Sequence, residues 1–255
     1  MKIAFSTQNV PSQSFLETCN IANEYGFSGF EIYDAQTERA CHSDSILKNN
    51  SSAGAKRKLR NRGIAIPALT YPCPIEQDSS GLEEYVEMAA GAAIPYVILR
   101  TESEPDMAAL DRMLESAIHK AEKYDVTILL ETCGPLANTQ KVIGIFNHFA
   151  SVALGAAWNI RETYFAAGES AEMTIQTLGA YIKYVRMGDR KDDLNVLIGE
   201  GHLPVSEFFG ALRSLNYEGY VCADWNDEVN NPDIVGASIR AYINALNKIV
   251  YEEEA

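Results

Sequence analysis

The sequence predicts a single-domain (β/α)8 TIM barrel over residues 1–255. Three observations carry that expectation: eight short apolar or β-branched runs, longer segments of helical period between them, and no Pro/Gly/Ser-rich linker dividing the chain. With 255 residues and 47% hydrophobic content, the chain has enough apolar mass for one large core. Strands that are each followed by a helix run parallel with crossover connections, and eight such units close into a barrel.

The elements follow in order. The first strand is Lys2-Ile3-Ala4-Phe5-Ser6, and the helix after it is announced by Ser14 with Glu17 at capping-box spacing. The second strand covers 29–33, and a helix carrying the basic run Lys56-Arg57-Lys58-Arg60-Arg62 leads to the third at 64–69. Ser80 with Glu83 repeats the capping-box spacing before the fourth strand at 96–100. Helical segments holding His119 and His148 flank the fifth strand at 127–131, and strands six, seven and eight are read at 152–158, 181–185 and 219–224. Asn231 before Pro232 marks an N-cap with proline at the first helical position, and the final helix runs toward Glu252-Glu253-Glu254.

Composition narrows the function class. The net charge of −14 and a pI near 4.7 oppose binding to a phosphate backbone, and the one basic run reads as a solvated helix face. Nucleic acid is therefore not an expected partner. Five cysteines (Cys19, Cys41, Cys73, Cys133 and Cys222) are odd in number and widely spaced, which suits reduced thiols in the cytoplasm. The apolar run at Met1 to Phe5 is too short for a signal peptide, and no run reaches the roughly 18 apolar residues of a membrane span. A soluble, cytoplasmic protein without a membrane partner is expected; a homo-oligomer stays open, since nothing singles out a pairing face.

In such barrels the chemistry sits at the C-terminal ends of the strands. Strand two ends in Glu31-Ile32-Tyr33-Asp34, strand five in Glu131-Thr132-Cys133, and strand six in Trp158-Asn159-Ile160-Arg161-Glu162. Strand seven ends in Arg186-Met187-Gly188-Asp189 and strand eight in Asp224-Trp225. Carboxylates, an amide and guanidiniums converge on one rim while the wall below them is apolar.

The ordered series Leu129-Leu130-Glu131, Trp158 to Glu162 with Ala166-Ala167-Gly168-Glu169, Ile182 to Asp189, Ile198-Gly199-Glu200-Gly201 and Leu215 to Trp225 resembles the xylose-isomerase-like barrels. That grouping holds sugar and sugar-phosphate isomerases and epimerases together with family-2 AP endonucleases. The resemblance implies a divalent ion held by a glutamate, an aspartate, a histidine and a glutamate after strands five to eight, positions occupied here by Glu131, Asn159, Arg186 and Asp224. A family histidine three residues after the aspartate corresponds to Glu162.

Arg186 decides what these departures mean. A guanidinium has no lone pair to give and is never deprotonated, so it is not a metal ligand. At an effective dielectric near 20 it gains roughly 4 kcal/mol about 4 Å from a carboxylate and opposes a dication there by about 8 kcal/mol. The expectation is therefore a guanidinium seated among Glu131, Asp224 and Glu162, with no cofactor; Mn, Mg, Co or Zn would enter only if Arg186 were displaced. None of the four histidines, His42, His119, His148 and His202, ends a strand, which leaves a histidine-based metal site poorly supplied.

Other rim residues have two readings each. Glu200 matches the family's Gly-Glu-Gly run, and His202 beside it reads as a substrate contact or a solvated loop residue. Arg190 and Lys191 follow strand seven, where barrels often bind phosphate, or are loop charges. Tyr164, Phe165, Trp158 and Trp225 are a ligand wall or packing. Cys73, Cys133 and Cys222 are soft-metal ligands or small barrel filler.

Two functions compete. One is a carbohydrate or sugar-phosphate isomerase or epimerase moving a proton beside a carbonyl, with Glu131 and Asp224 as acid/base groups, Arg186 as the cation, and Asn159, Arg161, Glu162, Glu200, His202, Arg190 and Trp225 at the substrate. The alternative is a barrel without chemistry that binds a small molecule or a partner. Cleavage of abasic DNA needs metal ions and a basic surface, and the sequence supplies neither.

Overall fold

The barrel is built from eight parallel strands that follow one another around the ring. They are β1 (Lys2–Ser6), β2 (Gly29–Glu31), β3 (Ala68–Thr70), β4 (Tyr96–Leu99), β5 (Thr127–Glu131), β6 (Leu154–Asn159), β7 (Ile182–Met187) and, after a small hairpin of β8 (Asp189–Lys191) with β9 (Leu194–Val196), β10 (Tyr220–Ala223). This computed structural model describes residues 1–224 and 240–249, apart from positions 12, 42, 49–51, 78–79 and 242. The helix start read at Asn231 and Pro232, and Trp225, lie outside the described residues.

The sheet order β2-β1-β10-β7-β6-β5-β4-β3 returns to its start. Parallel bridges Gly29 to Ala65 and Ile32 to Leu69 close it, with Phe30 N–H donating to the Ala65 carbonyl at 3.1 Å and Thr70 N–H to that of Ile32 at 2.8 Å. At this seam a side chain on Gly29 would collide with the Ala65 carbonyl, so only glycine lets the two backbones approach.

Around the barrel lie α1 (Phe15–Tyr25), α2 (Ala35–Cys41), α3 (Ser52–Arg62), α4 (Leu82–Ala92), α5 (Met107–Tyr124), α6 (Thr139–Phe149), α7 (Ile160–Phe165), α8 (Ala171–Leu178) and α9 (Val205–Ser214). Ser14 and Glu17 form the expected capping box: Ser14 Oγ accepts the Glu17 N–H, and Glu17 Oε2 accepts the Ser14 N–H at 2.8 Å. The second expected box is not made. Helix α4 starts one residue later, on Gly81 with no side-chain cap, and Glu83 instead bonds Lys120 and Ser116 on α5. No helix among the described residues is long and apolar enough to cross a membrane.

Side chains alternate across each strand, so the barrel has two cores. Outward residues such as Phe5, Phe30, Leu69, Val97 and Trp158 pack under the helices, while Ala68, Ile98, Leu129, Ala157, Tyr184 and Cys222 fill the interior. One step further along the same inward faces, the residues become polar. Ser6, Glu31, Thr70, Arg100, Glu131, Asn159, Arg186 and Asp224 stand one per strand at or just past the C-terminal ends, a polar ring seated on an apolar plug.

Six strands depart from their expected bounds: β2, β4 and β10 are one or two residues shorter, and three others shift. The third covers 68–70 rather than 64–69, because Pro67 has no N–H to continue the ladder. Strand six starts at Leu154, since Val152 lies in a turn and is 91% exposed. Strand seven runs on to Met187, so Arg186 is not a residue emerging from the strand's end but part of the strand, paired in register with Cys222.

Candidate functional site

Arg186 points into the barrel and crosses it. Its Nη2 donates to Glu31 Oε1 on β2 and, at 2.9 Å, to Thr70 Oγ1 on β3, while its Nε lies 3.6 Å from Glu131 Oε2 on β5. Glu31 also accepts from Ser6 Oγ at 3.2 Å and from Thr70 Oγ1 at 2.9 Å. The guanidinium is buried, and burial alone would lower its pKa; Glu131 and Glu31 outweigh that and hold it well above the ordinary arginine value. It is a fixed cation.

The expected partners of Arg186 are corrected here. Glu131 is one of them, but the contact partner is Glu31, and Asp224 and Glu162 belong to a different arginine. Arg161, in the first turn of α7, places Nη2 3.4 Å from Asp224 Oδ2 and Nε 3.5 Å from Glu162 Oε1. Its Nη1 reaches Asn195 Oδ1 on β9 at 3.4 Å. Asp224 and Glu162 together hold the Arg161 pKa up against the opposing effect of burial.

Asn159 links the two clusters. As the N-cap of α7 its Oδ1 accepts the Glu162 N–H at 3.2 Å, and its Nδ2 donates to Glu131 Oε1 at 2.8 Å. Only the amide does both jobs, because an aspartate at 159 would set two carboxylates at hydrogen-bond distance with no proton between them. Burial raises the Glu131 pKa, and Arg186 and Asn159 partly offset the rise. Glu131 Oε1 is thus held by an amide, while Oε2 has no hydrogen-bond partner.

These groups line a cavity of about 250 Å³ at the barrel mouth together with Arg100, Thr101, Glu102, Cys133 and Gly134. Of the site residues expected from sequence, Glu131, Asn159, Arg161, Glu162, Arg186 and Asp224 border it. Arg190, Glu200 and His202 do not. Arg190 stacks on Phe165 with its guanidinium carbon 4.8 Å from the ring centre, Glu200 is exposed, and His202 lies in solvent 3.7 Å from Asp192.

The motif that suggested Glu200 and His202 has a structural task. Asp189 is buried, and its carboxylate accepts the backbone N–H groups of Arg190, Gly199, Gly201 and Leu203 at 2.7, 3.0, 2.9 and 3.0 Å. A side chain at Gly201 would run into that carboxylate. The Gly-Glu-Gly run is therefore a loop folded around Asp189, and its glutamate points elsewhere. Trp158 is also structural: fully buried, it donates Nε1–H to Thr163 Oγ1 at 3.0 Å and packs on Phe208. Cys222 fills the interior, while Cys133 borders the cavity. Glu31, Thr70 and Arg100 were missed by motif matching, although period-two alternation points each of them inward at a strand's C-terminal end.

Comparison with known proteins places this fold. The family model described as xylose isomerase-like TIM barrel matches residues 19–245. The chain belongs to that family. No curated protein sequence matches this xylose isomerase-like barrel significantly. Among solved structures it is similar to the IolI protein with a bound zinc atom, at 17% identity over 99% of both chains and a TM-score of 0.81. It is similar to the 3-keto-D-glucoside 4-epimerase YcjR from E. coli at 17% identity over 98% of both chains, TM-score 0.74. It also resembles the probable 3-DHS dehydratase AsbF of Bacillus anthracis at 15% identity over 97% of this chain and 99% of that one, TM-score 0.75.

The residues present do not fit a divalent ion at the family's position. Among the described residues, no three of His, Cys, Asp and Glu are placed to hold a metal. The polar ring offers a guanidinium between Glu31 and Glu131, and an amide already committed to Glu131 and the α7 backbone.

Proposed function

We propose that this barrel is an isomerase or epimerase of carbohydrates or their derivatives that transfers a proton next to a carbonyl, with protein cations in the role of the family's metal. The observation that carries the reading is Glu131: a buried carboxyl of raised pKa at the cavity wall, oriented through Oε1 by Asn159, with Oε2 free of hydrogen bonds 3.6 Å from Arg186 Nε. Those are the attributes of a general base tuned toward neutrality.

The step balances within the pocket. Glu131 takes the proton from the carbon beside the substrate carbonyl, the C–H pair becomes the enediolate double bond, and the carbonyl oxygen takes up the negative charge. Arg161 borders the cavity and faces that oxyanion; Arg186 behind Glu131 keeps the carboxylate ionisable. Return of the proton by Glu131 to the former carbonyl carbon, with the adjacent hydroxyl proton passing to the enediolate oxygen, isomerises the substrate; a proton delivered to the original carbon from the other face by a protonated Asp224, with Glu131 keeping the one it took, epimerises it. A guanidinium carries half the charge of a dication and does not chelate two oxygens at one point, so lower or different activity than a metal ion would support is expected.

The test is exchange of the α-proton of aldoses, ketoses and their phosphates with D2O, followed by proton NMR. Wild type exchanges at least one of them, and Glu131→Gln lowers the rate by about 10²–10⁴-fold. A ligand that binds calorimetrically without exchange supports instead the second reading, a binding barrel, which is favoured by the ion-pair partners that Glu31 and Asp224 already have.

A further inference from the structure

Arg100 differs from the other two cations of the cavity. Arg186 is paired with Glu31 and Glu131, and Arg161 with Asp224 and Glu162, whereas no carboxylate among the described residues lies within ion-pair distance of Arg100. Its guanidinium carbon stands 4.9 Å from the centre of the Tyr33 ring, and its Nε is buried without a hydrogen-bond partner. Stacking satisfies the face of a guanidinium and leaves its donor edge unused.

The platform beneath it is fixed. The Arg100 carbonyl accepts the Ile75 N–H at 3.0 Å, and the Tyr33 N–H is held by Thr7 Oγ1 at 3.0 Å. Thr101 and Cys133 bond across the β4 and β5 loops in both directions, with Thr101 Oγ1 donating to the Cys133 carbonyl at 3.4 Å and Cys133 Sγ to that of Thr101 at 3.6 Å. Gly134, at φ +51°, packs so closely on the Thr101 carbonyl that no side chain fits there. A cation stacked on Tyr33 above a fixed backbone at a cavity wall, with donors left over, is prepared for a ligand oxyanion.

We infer that the molecule taken by this pocket carries an anionic group, a carboxylate or a phosphate, which sits on the guanidinium edge of Arg100 while its carbonyl end faces Glu131. The inference rests on the cavity being the substrate site and narrows its substrate class to sugar acids or sugar phosphates. The planar donor fork of arginine pairs with two oxygens of either group. A neutral hexose offers it only hydroxyls.

Isothermal titration of the full chain with D-fructose, D-fructose 6-phosphate and D-glucuronate tests this and separates the two anion sources. At least one anionic probe binds wild type tenfold or more tighter than D-fructose, and Arg100→Met abolishes that preference with an unchanged melting curve. The surface variant Arg39→Met, whose guanidinium is paired with Glu84 on the outer ring, retains it. Equal binding of D-fructose, an unaltered preference in Arg100→Met, or no binding of any probe overturns the inference. Proton exchange on D-fructose without anion preference removes the role of Arg100 and leaves the isomerase reading standing. Anion binding through Arg100 with no exchange on any sugar does the reverse.

Discussion

Replacing Arg186 by methionine keeps an unbranched aliphatic stem but removes the guanidinium and its charge, leaving Glu31 and Glu131 facing each other across a buried space. Breaking a buried ion pair by deleting one partner costs about 3–5 kcal/mol, because the remaining charge is uncompensated. For a chain of this size each kcal/mol is worth about 2–4 °C, so Arg186→Met should melt roughly 10 °C below wild type near pH 7. The loss depends on pH in a defined direction. Glu131 already has its pKa raised by burial, and Arg186 is the chief influence lowering it, so the substitution raises it further. A carboxyl whose folded pKa exceeds its unfolded value contributes stability that is complete below the ordinary value of 4.5 and lost as pH rises through the folded pKa. The deficit of Arg186→Met should therefore shrink toward about pH 5 and be largest near pH 8, read by circular dichroism melts across that range. Adding Glu31→Gln removes one orphaned charge and should recover part of the loss, by about 0.5–3 kcal/mol of coupling. A deficit below about 1 kcal/mol, or one that stays constant with pH, would refute the idea that the guanidinium neutralises these carboxylates.

Two further outcomes are expected. Asp189→Asn replaces an acceptor of four backbone N–H groups with an amide that turns two donors toward them, and should cost about 1–3 kcal/mol and loosen the loop at 199–203; hydrogen exchange of Gly199, Gly201 and Leu203 amides checks it, and unchanged protection would show that the carboxylate is dispensable. The double change Arg186→His with Asn159→Asp supplies the two ligand types the ring lacks, and should give manganese binding by calorimetry where wild type gives none. Stoichiometric, tight manganese uptake by wild type contradicts the placement of Arg186.

The strands were readable because their runs are short and apolar, and β1 and β5 fall on the expected residues. Where the reading slipped, a local cause is visible: Pro67 delays β3, a turn at Val152 delays β6, and Gly81 takes the capping position expected for Ser80. The inward rim was equally legible, since period-two alternation and strand ends locate Glu131, Asn159 and Asp224. Partner choice was not. Glu31 is 155 positions from Arg186, and nothing short of the ring's closure says that a side chain from β7 spans to β2 rather than resting against β10. Motif likeness also misplaced Glu200 and His202, because the run that carries them serves the backbone around Asp189, a role in which the side chains between the glycines have no part.

The span of Arg186 has a consequence for assembly. Its positive end comes from the later half of the chain and the carboxylate it meets, Glu31, from the earlier half. If the polypeptide were cut between β4 and β5, Glu31 would leave with one piece and Arg186 would stay with Glu131 on the other, so each piece would lose the partner of its strongest buried contact. Mixing them would restore the Arg186–Glu31 contact across the cut, so the pieces should select each other over copies of themselves.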